Sequence, residues 1–178
     1  MHVYFSGIGG TGIGPLAVIA KTAGFNVSGS DKQSSKYTEY LAQKGIDVHI
    51  GQQDENYIRA LHEERPIDWF VYSSALPLEN PNHPELSFVN SAKIKHSKRD
   101  GFLSYFLSEK NLHLIAFAGT HGKTSSTAMA IWVAKQLDIP ISYSVGAKLS
   151  FGDMGHYVTD STYFMYECDE FDKNFLSF

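Results

Sequence analysis

With a single cysteine, Cys168, the 178 residues cannot form an internal disulfide or a cysteine-rich zinc site. A reducing, cytoplasmic setting is therefore expected. No run approaches the roughly 18 consecutive apolar residues of a membrane-spanning helix. The start of the chain lacks the charged opening and longer apolar run of a signal peptide. An excess of positive charge is missing too. Fifteen Lys and Arg face 19 Asp and Glu, a formal net charge of −4, which argues against a general nucleic-acid binder. One basic cluster, Lys93, Lys95, Lys98 and Arg99, is interrupted by Asp100 and Glu109 and reads as a solvated face. Neither an internal repeat nor a low-complexity segment is visible. What is present is an ordinary globular composition, 43% hydrophobic, long enough for one large domain or one domain and part of another.

The order of short apolar runs and longer periodic ones predicts β-α alternation. Strands are expected at 2–6, 26–30, 47–50, 68–73 and 94–96, with helices at 13–23, 36–44, 55–64, 84–92 and 98–107. Such alternation implies an α/β domain with a parallel, Rossmann-like sheet over residues 1–108. A second unit is expected over 111–178. It opens with a buried strand at 112–118, a glycine loop, a helix at 125–137 and strands at 141–145 and 162–166. That second portion is short for a domain, so it is read as the start of a P-loop α/β domain and the chain as a fragment.

Gly7-Ile8-Gly9-Gly10-Thr11-Gly12 fits G-x-G-x-x-G between a strand and a helix. Glycines let backbone approach a phosphate, and free N–H groups at a helix start point at it. Asp31 closes the second strand, where such folds set a carboxylate against a ribose or base. Ser73 and Ser74 follow the fourth strand and could reach the same nucleotide from the carboxyl ends of the sheet; a capped turn before Pro77 is the alternative.

A second loop, Gly119-Thr120-His121-Gly122-Lys123-Thr124-Ser125, also joins a strand to a helix. Its parts suit a nucleoside triphosphate. Backbone N–H groups cradle phosphates, Lys123 neutralises the β and γ charges, and the Thr124 hydroxyl can ligate Mg²⁺. The usual spacing requires glycine at 117, where Phe117 stands, so this is a variant loop. After the last strand, Glu167, Asp169, Glu170 and Asp172 put four carboxylates in six residues, a natural seat for the Mg²⁺ of ATP; a solvated acidic turn is the alternative.

GIGGTGIGPLA near the start, GSD ending at Asp31, SSALP from Ser73, AGTHGKTSS and ECDEFDKNFL together resemble segments of the Mur ligase family over essentially the whole chain. His121 favours the branch that joins L-alanine to UDP-N-acetylmuramate, or the related branch that attaches a tripeptide in cell-wall recycling. The resemblance implies a cytoplasmic, ATP- and Mg²⁺-dependent, three-domain ligase that activates a carboxylate as an acyl phosphate. It further implies that Gly9, Gly10, Thr11 and Gly12 bind the sugar-nucleotide diphosphate, with Asp31, Ser73 and Ser74 toward the uridine. Lys123 and His121 would be catalytic, loop residues Gly119 to Ser125 would bind ATP, and Thr124 and Glu167 would hold Mg²⁺. Asp169 and Glu170 are weaker candidates than Glu167. A nicotinamide-dependent oxidoreductase is the competing reading; it uses only the first loop and Asp31. A non-catalytic UDP-binding module is another. The expected fragment, lacking an amino-acid domain, is expected to be inactive alone.

Overall fold

All five residues of β1 (His2–Ser6) are buried, as in a strand covered on both faces of a parallel sheet. The computed structural model describes residues 1–168. After β1 come α1 (Gly14–Thr22), β2 (Asn26–Asp31), α2 (Lys36–Gln43), β3 (Asp47–Ile50), α3 (Glu55–Glu64), β4 (Trp69–Tyr72), α4 (Ala75–Glu79), α5 (Pro84–Ser91) and β5 (Lys95–Lys98). The five strands pair in parallel in the order β3-β2-β1-β4-β5. That is a doubly wound sheet whose strand order reverses between β1 and β4, and ligands bind such sheets at the carboxyl ends beside the reversal. The loops after β1 and β4 carry 7–12 and Ser73-Ser74, so both expected segments flank this crevice.

Local chemistry explains the elements. Pro15 opens α1, where its missing N–H costs nothing, and residues 14–20 are all buried. Ser35 and Thr38 cap α2 reciprocally, and Asp54 caps α3 by accepting from Tyr57 N. Tyr4 of β1 belongs to one core cluster with Ile58, Phe70, Phe88 and Val89. The short helix α4 was not foreseen from sequence. The segment 73–77 reads as a turn, yet Pro77 is accommodated in the first turn of that helix.

The chain divides into two compact units between Arg99 and Asp100, ahead of the boundary expected at 108–111. The reason lies in α6 (Arg99–Glu109), whose Phe106 packs edge-on against Tyr157 and Phe164 of the second unit. That unit continues with β6 (His113–Phe117), α7 (Lys123–Gln136), β7 (Ile141–Ser144), β8 (Gly155–His156) and β9 (Tyr163–Glu167), in the sheet order β6-β9-β7-β8. Strands β6, β9 and β7 are parallel, and β8 is an antiparallel edge. Among the described residues, the strand expected to be buried at 112–118 is instead the half-exposed edge β6, with Ile115 at 37% exposure. An apolar strand sequence does not reveal how many neighbours the strand has. Helix α7 buries Thr127, Ile131 and Ala134 but leaves Met129 and Trp132 in solvent. Among the described residues, no helix is long and apolar enough to cross a membrane.

His2 is buried, with Nδ1 at 3.2 Å from the carbonyls of Arg65 and Pro66 and Nε2 at 2.7 Å from Ser28 Oγ. Carbonyls only accept, so Nδ1 carries the proton and Nε2 accepts from the serine in the neutral ring. Burial pushes the pKa of His2 down, and burial does the same to His83. Between these lowered values and the ordinary value of about 6.5, the unfolded chain holds more protons than the folded one. Stability is therefore full above about pH 6.5 and falls on acidification toward pH 5. Urea midpoints measured across pH 5–8 should show this slope, and a His2→Gln/His83→Gln variant should flatten it. An unchanged slope in that variant would assign the effect to other groups.

Candidate functional site

The first glycine loop is held from below by its own sheet. Gly7 N and Ile8 N both donate to Ser30 O, at 2.9 and 3.0 Å, which ties the loop after β1 to the end of β2. Under it lies a fully buried carboxylate, Glu85. Its oxygens accept from Tyr4 OH and Ser6 Oγ at 2.6 Å each, and Gln53 Nε2 donates to Ser30 Oγ at 2.8 Å and approaches Glu85 at 3.4 Å. Burial, and then the Glu85 charge, hold the Tyr4 phenol well above its ordinary pKa, so it remains a donor. Sequence reasoning missed Glu85 and Gln53. An acid in the first turn of a helix ordinarily signals a favourable dipole contact in solvent, and nothing local showed that α5 points Glu85 inward.

Asp31 stands at the end of β2, beside the first loop. Its Oδ2 accepts from Gly9 N at 2.8 Å and its Oδ1 from Gln33 N at 3.3 Å, so the carboxylate braces the loop. The N–H groups of Thr11 and Gly12 have no hydrogen-bond partner among the described residues. Ser73 and Ser74 are not alike. Ser73 Oγ accepts from Ala75 N at the start of α4, whereas Ser74 Oγ is buried with no hydrogen-bond partner among the described residues. The basic cluster is not uniformly solvated either. Lys95 Nζ lies 3.4 Å from the Trp69 ring centre, and the half-buried Arg99 reaches the first loop at Gly12.

In the second unit, Gly122 takes φ +77° at the cap of α7, a left-handed backbone that suits glycine, and the helix begins at once with Lys123 and Thr124. The helix was expected from 125; instead both residues sit in its first turn. The N–H groups of Thr120, His121 and Gly122 have no partner among the described residues, and they precede a 14-residue helix whose first N–H groups are open by construction. Such a terminus attracts phosphate. Lys123 Nζ donates to Gly119 O at 2.7 Å, folded over its own loop. Thr124 Oγ1 donates to Glu167 Oε1 at 2.7 Å, and Glu167 Oε2 accepts from Gly146 N at 2.7 Å. The two expected metal-holding residues are thus brought together. His121 and Ser125 are exposed. Asp169, Glu170 and Asp172 lie outside the described residues. No cluster of three His, Cys, Asp or Glu side chains is found among the described residues. A Mg²⁺ that keeps several waters and takes phosphate oxygens needs only one or two protein oxygens, and Thr124 with Glu167 fits that requirement.

A sequence profile described as "Mur ligase family, catalytic domain" matches residues 2–111. The UDP-N-acetylmuramate–L-alanine ligase of Agathobacter rectalis is 38% identical over 180 residues, covering 100% of this chain and 37% of that protein. The solved UDP-N-acetylmuramate–alanine ligase of Thermotoga maritima superposes with a TM-score of 0.81 at 25% identity, covering 96% of this chain and 37% of its own. The UDP-N-acetylmuramate:L-alanyl-γ-D-glutamyl-meso-diaminopimelate ligase of Neisseria meningitides gives 0.80 at 28% identity, covering 96% and 53%. The chain spans about a third of the length of the curated relatives it matches.

The bracing role of Asp31 is directly measurable. Asp31→Ala removes the acceptor of Gly9 N–H, a charge-assisted bond at a half-exposed position. A loss of about 1–2 kcal/mol in unfolding free energy is expected. Amide exchange at Gly9 should accelerate while exchange in β4 is unchanged. Unaltered protection at Gly9 would show that the bond does not brace the loop.

Proposed function

The chain belongs to the Mur ligase family, and on that premise we propose that it carries the nucleotide-handling parts of an ATP-dependent ligase joining L-alanine to UDP-N-acetylmuramate. The supporting relatives are those named for that reaction. The observation that carries the reading is the bond between Thr124 and Glu167, 43 residues apart. It sets a hydroxyl and a carboxylate beside an open helix terminus and a lysine, the set that a Mg²⁺-bound triphosphate requires. A nicotinamide enzyme gives this second loop no task.

In this reading the first unit takes the UDP portion. Gly10, Thr11 and Gly12 face the diphosphate, Gly9 adjoins it with its N–H held by Asp31, and Asp31, Ser73 and Ser74 lie on the nucleoside side. The second unit takes ATP on loop residues Gly119, Thr120, His121, Gly122, Lys123, Thr124 and Ser125. The muramoyl carboxylate attacks the γ-phosphorus, forming an acyl phosphate and releasing ADP. The amine of L-alanine then attacks the acyl carbon, forming the amide and expelling inorganic phosphate. Mg²⁺, when bound, neutralises charge on the phosphate oxygens. Thr124 and Glu167 hold it, Lys123 neutralises the β and γ charges, and His121 lines the path between phosphate and acceptor. A tripeptide in place of L-alanine is the second reading, favoured by the Neisseria structure, which matches as well as the alanine ligase structure does.

Calorimetric titration of the whole chain tests the assignment. UDP should bind more tightly than AMP. In a separate titration, MgATP should bind at least about tenfold more weakly to Lys123→Ala, which loses the cation over the phosphates, with UDP affinity unchanged. Equal affinity for UDP and AMP would reject the first-unit assignment. Unaltered MgATP binding in Lys123→Ala would reject the second.

A further inference from the structure

Resting on the reading of the first unit as a UDP site, we infer that Arg99 is a diphosphate-binding residue of that site. Arg99 follows β5, and β5 lies two strands from β1, with β4 between them. Strand spacing makes that distance about 10 Å. The Arg99 side chain nevertheless ends against the loop that follows β1. A methyl group built on Gly12 would overlap its terminal guanidinium nitrogen. The side chain therefore crosses the carboxyl end of β4 and the mouth of the crevice where the strand order reverses, which is where a ligand of such a sheet binds. The lack of a side chain at residue 12 has a second use here beyond letting backbone approach a phosphate: it seats the guanidinium on the loop.

The charges along the loop are graded. At one end the Asp31 carboxylate already occupies Gly9 N–H. A second anion is disfavoured there. At the other end the N–H groups of Thr11 and Gly12 have no partner among the described residues, and the Arg99 guanidinium lies beside them. Two open N–H donors and a planar, permanently charged fork match the oxygens of a diphosphate. The ligand's direction follows: phosphates at Thr11, Gly12 and Arg99, nucleoside toward Asp31. A uridine without phosphates makes no use of Arg99.

The test compares UDP with uridine on the whole 178-residue chain, by calorimetry for UDP and ligand-observed NMR for uridine. Arg99→Gln should weaken UDP at least about tenfold and leave uridine unchanged. Gly12→Ala, whose methyl evicts the guanidinium, should show the same selective loss and carries the test if Arg99→Gln does not fold. The double variant should lose no more than the stronger single variant, because both remove one interaction. UDP affinity equal to wild type in either folded single variant overturns the inference. So does an equal fold-loss for UDP and uridine in Arg99→Gln, which would mark Arg99 as structural. A wild-type chain that binds uridine and UDP equally also overturns it while leaving a nucleoside site. A wild-type chain that binds neither overturns the UDP reading itself, and the inference with it.

Discussion

A carboxylate with no solvent exposure, Glu85, underlies the first glycine loop, and the ends of β1 and β2 are tied to it. Tyr4 and Ser6 of β1 donate to its two oxygens, and Gln53 links it to Ser30 of β2. The Ser30 carbonyl in turn accepts from Gly7 and Ile8. A hydrogen bond to a charged group such as this carboxylate typically contributes about 1.5–3 kcal/mol. Uncharged donors satisfy the carboxylate from within the fold, and the loop above inherits fixed positions for its backbone N–H groups. Preorganised donors are what an anion site requires, because they need no reorganisation when the ligand arrives.

The second unit uses a related device nearer the surface. Glu167, at the end of β9, accepts from Thr124 in the first turn of α7 and from Gly146 after β7. One carboxylate thus gathers three segments around an open helix terminus. The difference between the two loops is chemical. In the first the nearby carboxylate, Asp31, is spent on backbone, and the cation comes from Arg99 across the crevice. In the second the carboxylate meets a hydroxyl, and the loop brings its own lysine. The first arrangement suits a diphosphate bound without metal, the second a metal-bound triphosphate.

Much of this was legible in sequence because it is local. Strand runs and both glycine loops are written within a few residues of one another, and the parallel sheet follows from the alternation of strands and helices. The joint placement of Thr124 and Glu167 was expected through the resemblance to the Mur ligases, not from either segment alone. What stayed hidden depends on long-range placement. Edge strand β6 has the composition of a buried one, since apolarity does not count neighbours. Glu85 and Arg99 look like surface charges in sequence, and only the packing of α5 and the strand order turn one inward and the other across the crevice. The unit boundary moved to Arg99–Asp100 because Phe106 of α6 packs on the second sheet, a contact with no local signature.

On the proposed function, the chain holds two separate phosphate cradles with different ligands. Backbone amide shifts of the ¹⁵N-labelled chain, followed during titration with UDP and then with MgATP, test this most directly. UDP should move Gly9, Gly10, Thr11 and Gly12 and leave Thr120 to Ser125 in place. MgATP should then move Thr120 to Ser125, with Gly146 following through Glu167. Both ligands shifting the same loop, or UDP shifting the second loop alone, would contradict the account.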